Sequence, residues 1–268
     1  MQFPPPVGDA GTRLRGVVIV YHSIGRVPRS APFWNGFVRL ERFEAQMAYL
    51  ARRRRVVTLD DLLGHASAEG PPRVAITFDD GYRNVFRHAV PVLRRYGFPA
   101  AFFVPTGWIG SRRGWKAAGD VALELMDGDE LVELEQLGFS VESHGDAHID
   151  YARSEPQVAA ADVRASVERL AELLGHPPRY LAYPYGRASE AAAQEAARLG
   201  LRAGFALDRP QDMGGDFALP RVAIVPADRT LLFALKTGGR YGDWRHSGPV
   251  RAAYRAVRPL VRRRWLWP

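Results

Sequence analysis

Eight short runs of β-branched, aromatic and small apolar residues recur along this chain, and helical patterns fill most of the gaps between them. The runs are VVIVY (17–21), RVVTL (55–59), VAITF (74–78), AAFFV (100–104), FSVES (139–143), YLAY (180–183), RAGFA (202–206) and RVAIV (221–225). In the gaps, Phe43, Met47 and Leu50 share one helical face, and Val85, Phe86, Ala89, Val92 and Leu93 share another ahead of Gly97. A longer pattern occupies residues 155–175, and SEAAAQEAARLG (189–200) closes on Gly200. Strands that alternate with helices return by crossovers, which predicts a parallel sheet. Seven or eight such units in 268 residues, at 47% hydrophobic content, favour one closed or nearly closed β/α barrel. An open doubly wound sheet satisfies the same alternation, but no Gly-x-Gly-x-x-Gly follows the first strand to support a dinucleotide site. The longest break, residues 105–129, reads as a lid or rim insertion.

In a β/α barrel, chemistry collects where strands end. At those positions stand His22 after the first run, Asp79 and Asp80 after the third, and His144 and His148 after the fifth. Pro184, Tyr185 and Gly186 follow the sixth. Asp79-Asp80-Gly81 alone would read as an ordinary turn; two histidines in the same rim set change that, because a divalent cation relieves the repulsion of adjacent carboxylates. Carboxylate oxygen with imidazole nitrogen suits Zn, Co, Mn or Fe, and the chain's lack of cysteine rules out thiolate ligands. The i, i+4 spacing of His144 and His148 puts both on one face if a helical turn opens there. One Asp and two His form a triad with open positions, leaving the second Asp free to act as a base.

TFDDG (77–81), SHGDAH (143–148) and YPYG (183–186), in this order on successive strand ends, resemble the first three motifs of the polysaccharide deacetylase family, the NodB-homology or carbohydrate esterase family 4 domain. The resemblance covers about Val17 to Val225 and implies a distorted (β/α)7 TIM-like barrel. It implies Asp79 as general base, Asp80, His144 and His148 as ligands of one divalent metal, zinc first, and Tyr185 as groove wall and oxyanion donor through its backbone N–H. It implies hydrolysis of N-acetyl groups on N-acetylhexosamine units of a glycan, with release of acetate. Two departures stand out. Many relatives carry Arg where this chain has Ala182, and many end on a Leu-x-His general acid where it has only LLFALKTGG. Arg221 is the expected substitute for the first and His22 for the second; the Tyr-His at 21–22 resembles the poly-N-acetylglucosamine exopolysaccharide subgroup. The bland alternatives are a structural ion pair for Arg221, a packed rim residue for His22 and a simple wall for Tyr185. Trp34, Trp108 and Trp115 could stack on sugars or anchor loops. Asp146 and Asp150 could orient the histidines or cap a helix, and His65, His88, His176 and His246 read as surface residues.

The net charge of +8 is concentrated at the end: from Arg240 onward eight arginines face the single acid Asp243, which leaves seven of the eight excess charges there. Tyr241, Trp244, Tyr254, Trp265 and Trp267 are interleaved with them, a mixture suited to an anionic membrane surface and less to nucleic acid, the bland alternative being a solvated C-terminal helix with a disordered end. The domain reading is a lead segment (1–16), a deacetylase domain (17–239) and a basic aromatic tail (240–268). No apolar signal segment opens the sequence, so the expected location is the cytoplasm, peripheral on the inner face of the membrane. The alternatives are a hydrolase of another C–N bond in a small amide, and an inactive carbohydrate-binding protein. The sequence is silent on oligomeric state.

Overall fold

The computed structural model describes residues 14, 16–26, 36–64, 70–113, 123–207 and 215–238. In chain order the first half holds β1 (Val17–Tyr21), β2 (Ser23–Ile24), β3 (Phe37–Val38), α1 (Leu40–Arg53), β4 (Arg55–Val56), α2 (Leu59–Leu63), β5 (Arg73–Phe78) and α3 (Arg83–Tyr96). There follow β6 (Ala101–Val104), β7 (Arg112–Arg113), β8 (Leu123–Glu124), α4 (Gly128–Gln136), β9 (Ser140–Ser143) and α5 (Pro156–Leu174). The chain continues through β10 (Tyr180–Ala182), α6 (Glu190–Arg198), β11 (Ala203–Ala206), β12 (Leu219–Ala223) and α7 (Thr230–Lys236).

Seven strands run parallel in the order β1-β12-β11-β10-β9-β6-β5, and β5 pairs back to β1, from Val17↔Val74 to Tyr21↔Phe78, to close the barrel. The ring is thinnest between β9 and β10, where the pairing is Leu181↔Ser143 alone. Strand β4 is an annex on β5 through Arg55↔Arg73 and Val56↔Val74. The expected strand over 55–59 is therefore shorter: Thr58 ends it as an N-cap, with a capping box to Asp61 that starts α2.

Side chains alternate between two layers along every strand. One set, including Val18, Ala75, Phe103, Tyr180, Ala203, Phe205 and Leu219, fills the barrel lumen together with Leu59 and Leu62 of α2. A Cβ on Gly16, just before β1, would lie 2.6 Å from Leu62 Cδ1, so α2 plugs the end where the strands begin. Asp60 of this plug is gripped by Arg179, Arg202 and the Tyr180 hydroxyl. The other set, with Ile19, Tyr21, Ile76, Phe78, Phe102 and Val104, packs against α1, α3 and α4. Helix α5 starts with Pro156 in its first turn and stops at Gly175 in left-handed conformation. The predicted rim insertion is built on a 3-10 turn at Thr106–Trp108 and the antiparallel pair β7–β8, and it leads into α4, which Asp127 caps with Glu130 in a second capping box. Among the described residues no helix is long and apolar enough to cross a membrane. Trp34, Trp115, His65, His246 and the tail 240–268 lie outside the described residues.

Candidate functional site

Strand β5 is buried on both faces, and its ladder to β1 continues one residue further through Asp79 N–H to Tyr21 O at 2.9 Å. The strand then breaks at Asp80 (φ 70°) and Gly81 (φ 67°). These left-handed residues turn the two carboxylates toward different partners, which removes the conflict of adjacent buried charges. Both are almost fully buried, Asp79 at 3% and Asp80 at 1% exposure.

Asp79 is clasped by Arg221 of β12, with Nη1 and Nη2 each donating at 2.7 Å to separate carboxylate oxygens. The guanidinium is itself held by Thr77 Oγ1 at 3.3 Å and lies over the Phe103 ring at 5.3 Å. The bidentate fork fixes the carboxylate plane and carries the compensating charge that a buried carboxylate requires. Burial would raise the Asp79 carboxyl, but Arg221 and then His144 outweigh it and hold it below its ordinary value.

Asp80 faces the histidines. His148 Nε2 lies 3.2 Å and His144 Nε2 3.5 Å from Asp80 Oδ1. His144 follows β9, and its Nδ1 is 2.8 Å from Ala182 O. A carbonyl only accepts, so Nδ1 carries the hydrogen, which leaves Nε2 as the ring's candidate ligand atom. Burial alone would raise the Asp80 carboxyl; the contacts with His144 and His148 outweigh it and keep it well below the ordinary range. Burial pushes His148 down, whereas Asp79 and Asp80 overcome the same penalty at His144 and pull it up. The histidines do not share a helical face as their spacing suggested. Residues 144–150 form an irregular loop, and His148 reaches the cluster in left-handed conformation (φ 54°).

One ligand atom each from Asp80, His144 and His148 falls within 4.8 Å of the other two. Asp80 Oδ2 is buried without a hydrogen-bond partner, an orphaned acceptor on the carboxylate whose Oδ1 faces both imidazoles. That donor set fits a divalent cation of the zinc type.

Tyr185 follows β10 in a turn where it too is left-handed (φ 58°). Among described non-glycine residues only Asp80, His148 and Tyr185 have positive φ, so all the local backbone strain of this kind sits at one site. The Tyr185 ring stands edge-on to His148 at 5.0 Å, and Trp108 lies 4.9 Å from the same imidazole. Trp108 is therefore packed on a candidate ligand. His22 is half-buried after β1, close enough for its charge to bear on both Asp79 and Asp80. Thus the four catalytic candidates Asp79, His22, Tyr185 and Arg221 and the three metal candidates share one rim.

The flanking acids have other partners. Asp146 accepts from Thr106 Oγ1 at 2.6 Å and pairs with Arg169 at 2.9 Å, while Asp150 pairs with Arg187 and Arg153. His176 is exposed and bonded to Glu135. His88, expected at the surface, is half-buried, and its ring would lie 3.2 Å from a Cβ on Gly25. Two residues carry no signal at strand ends and were not anticipated. Asn84 of α3 donates to Ser23 Oγ at 2.6 Å beside His22, and Asp162 of α5 accepts from the loop between the histidines.

A model of the polysaccharide deacetylase family matches residues 66–204. The chain is 28% identical to YxkH of Bacillus subtilis, over 78% of this chain and 71% of that one. It is 25% identical to the poly-beta-1,6-N-acetyl-D-glucosamine N-deacetylase of Staphylococcus aureus MSSA476, over 71% of this chain and 68% of that protein. Among solved structures, IcaB from Ammonifex degensii superposes with a TM-score of 0.68 at 26% identity, over 83% of this chain and 97% of that one.

Proposed function

The chain belongs to the polysaccharide deacetylase family and is an enzyme of that class, and from this premise we propose that it hydrolyses N-acetyl groups on N-acetylhexosamine units of an exopolysaccharide of the poly-N-acetylglucosamine type. What carries the proposal is the Asp79–Arg221 clasp set beside the Asp80, His144 and His148 cluster. Similarity to a poly-beta-1,6-N-acetyl-D-glucosamine N-deacetylase supports a polymer over a small amide.

Asp80, His144 and His148 would hold one divalent metal ion, zinc first, with cobalt, manganese, nickel or iron suited to the same donors. Bound there, it supplies Lewis acidity toward water and an acyl oxygen. The chain's own groups do the rest. Asp79 takes the proton that the attacking water releases, and Arg221 keeps that carboxylate ionised and aimed. Arg221 thus does here what relatives assign to an arginine at the position of Ala182. The Tyr185 backbone N–H faces the oxyanion that forms as the carbonyl carbon becomes tetrahedral, and its ring walls the groove beside His148. As the C–N bond breaks, the nitrogen needs a proton to leave as an amine, and His22 is the group assigned to deliver it. One C–O bond forms and one C–N bond breaks, and acetate and a free amino sugar result.

In the same proposal residues 17–239 are the catalytic unit. The tail 240–268 touches anionic lipid at the inner face of the membrane, and the substrate is a polymer or a lipid-linked precursor reached there. Exposed Leu231 and Leu235, one turn apart on the last described helix, are compatible with that face. The test is acetate release from N-acetylglucosamine oligomers after chelation and metal re-addition; no release from any oligomer, with metal bound, would leave the small-amide reaction as the alternative.

A further inference from the structure

We propose that Asp162, a buried carboxylate on α5 outside the barrel, is the positioning residue for the candidate metal ligands. It fixes the backbone between His144 and His148 and so sets the affinity of the site. The inference rests on the assignment of Asp80, His144 and His148 as the cation site, and deepens it.

After β9 the chain leaves the sheet, so the amides of residues 145–147 have no strand to pair with, and a buried amide left unpaired is costly. Asp162 serves two of them. Its Oδ1 accepts from Ala147 N–H at 2.8 Å and its Oδ2 from Asp146 N–H at 2.9 Å. The Tyr151 hydroxyl donates to Oδ2 as well, at 2.7 Å. Asp162 makes no ion pair among the described residues, so its charge is balanced by these three donors, and bonds to an ionised acceptor are the strong kind. The fit is close: a Cβ on Gly145 (φ 75°) would lie 2.5 Å from Asp162 Oδ2 and 2.3 Å from the Tyr151 hydroxyl oxygen.

From the other side the loop is held by the insertion. Thr106 N–H donates to Gly145 O and Gly107 N–H to Asp146 O, each at 3.0 Å, in the turn that also sets Trp108 against His148. The span from His144 to His148 is thus clamped between a carboxylate on a nineteen-residue helix and a turn of the rim. A clamp is needed because His148 is held at φ 54°, a conformation that an unsupported loop would abandon. Helix α5 contributes no candidate ligand, yet it holds the backbone that joins two of them.

The test uses the full chain with Asp162→Asn, which keeps the shape but loses the charge and places an amide against amide donors. Zinc affinity is measured by competition with a chromophoric chelator, together with hydrogen exchange of residues 145–148 in the metal-free protein. Asp162→Asn is expected to bind zinc roughly tenfold or more weakly, as loss of groups that orient ligands commonly does. Exchange at Asp146 and Ala147 should quicken. Val163→Ala, next on the same helix and fully buried, should lower thermal stability without moving zinc affinity. If Asp162→Asn is too unstable to purify, Tyr151→Phe removes one of the three donors, and the same two measurements apply with a smaller shift. Unchanged zinc affinity and unchanged exchange would overturn the inference. Wild-type protein that binds no zinc would instead overturn the metal-site assignment, while the exchange data would still decide whether Asp162 holds the loop.

Discussion

Replacing Glu142 by Gln should change how the protein's stability depends on pH, and the size of the change follows from the barrel interior. Glu142 lies on β9, is 1% exposed, and accepts from Arg179 N–H at 2.7 Å and Tyr180 N–H at 2.9 Å through one carboxylate oxygen. Burial pushes its carboxyl up from 4.5 to about 7, the two amides offsetting only part of the penalty. Arg179 is the nearest cation, its Nε 3.9 Å from the other oxygen and its side chain about half exposed, too distant and too wet to cancel it. A group protonated more readily in the folded state contributes stability fully below its unfolded pKa and loses it as pH rises through the folded value. The contribution is therefore present below about 4.5 and gone above about 7. Over that range the wild type should lose roughly 3 kcal/mol relative to Glu142→Gln, at 1.36 kcal/mol per pH unit. Urea unfolding of both proteins at steps from pH 4.5 to 8 isolates the effect, because groups common to the two cancel in the difference. A difference that stays flat across this range, or that favours the wild type more as pH rises, would refute the reasoning.

Arg221→Met should lower kcat/KM by at least about 100-fold and destabilise the fold by about 3–5 kcal/mol, because it leaves the Asp79 carboxylate buried without its partner; Arg221→Lys should not restore activity, since an ammonium cannot make the two-pronged contact, and steady-state kinetics with urea melts checks both. Gly186→Ala should cost more than about 1–2 kcal/mol and weaken activity, because φ is 69° and the new methyl would lie 2.4 Å from Leu207 Cβ; a neutral thermal melt would contradict this. Co-sedimentation with phosphatidylglycerol vesicles but not with phosphatidylcholine vesicles is expected of the full chain, with loss on removal of residues 240–268; equal binding to both lipids would count against the tail as an electrostatic anchor.

Much of this was legible in the residues because the chemistry sits where strand patterns stop. Asp79, Asp80 and His144 follow directly on apolar runs, with Tyr185 two residues and His148 five residues beyond one, and the alternation of runs and helices points to a parallel barrel. Arg221 was expected as the substitute for the arginine that the family carries where this chain has Ala182, or as half of a structural ion pair, and it clasps Asp79. What stayed hidden involves geometry without periodicity. The irregular loop that brings His148 to Asp80 has no 3.6-residue signature, and the i, i+4 spacing pointed to a helix that is absent. The ends of β4 and the start of α4 did carry a signal, in Thr58 with Asp61 and Asp127 with Glu130, because a cap three residues ahead of an acid is a helix start whatever precedes it. Asp162 looks like any polar residue of a long helix, and only the fold shows which amides it faces.

The most direct measurement is acetate release from β-1,6-linked N-acetylglucosamine oligomers by the purified full chain, stripped of metal and then supplied with zinc, alongside Asp79→Asn. Release that depends on added zinc and falls at least about 100-fold in Asp79→Asn, with zinc still bound stoichiometrically, is the predicted result. Release that persists in the variant would contradict Asp79 as the base, and release that ignores chelation would contradict Asp80, His144 and His148 as the site of an essential metal.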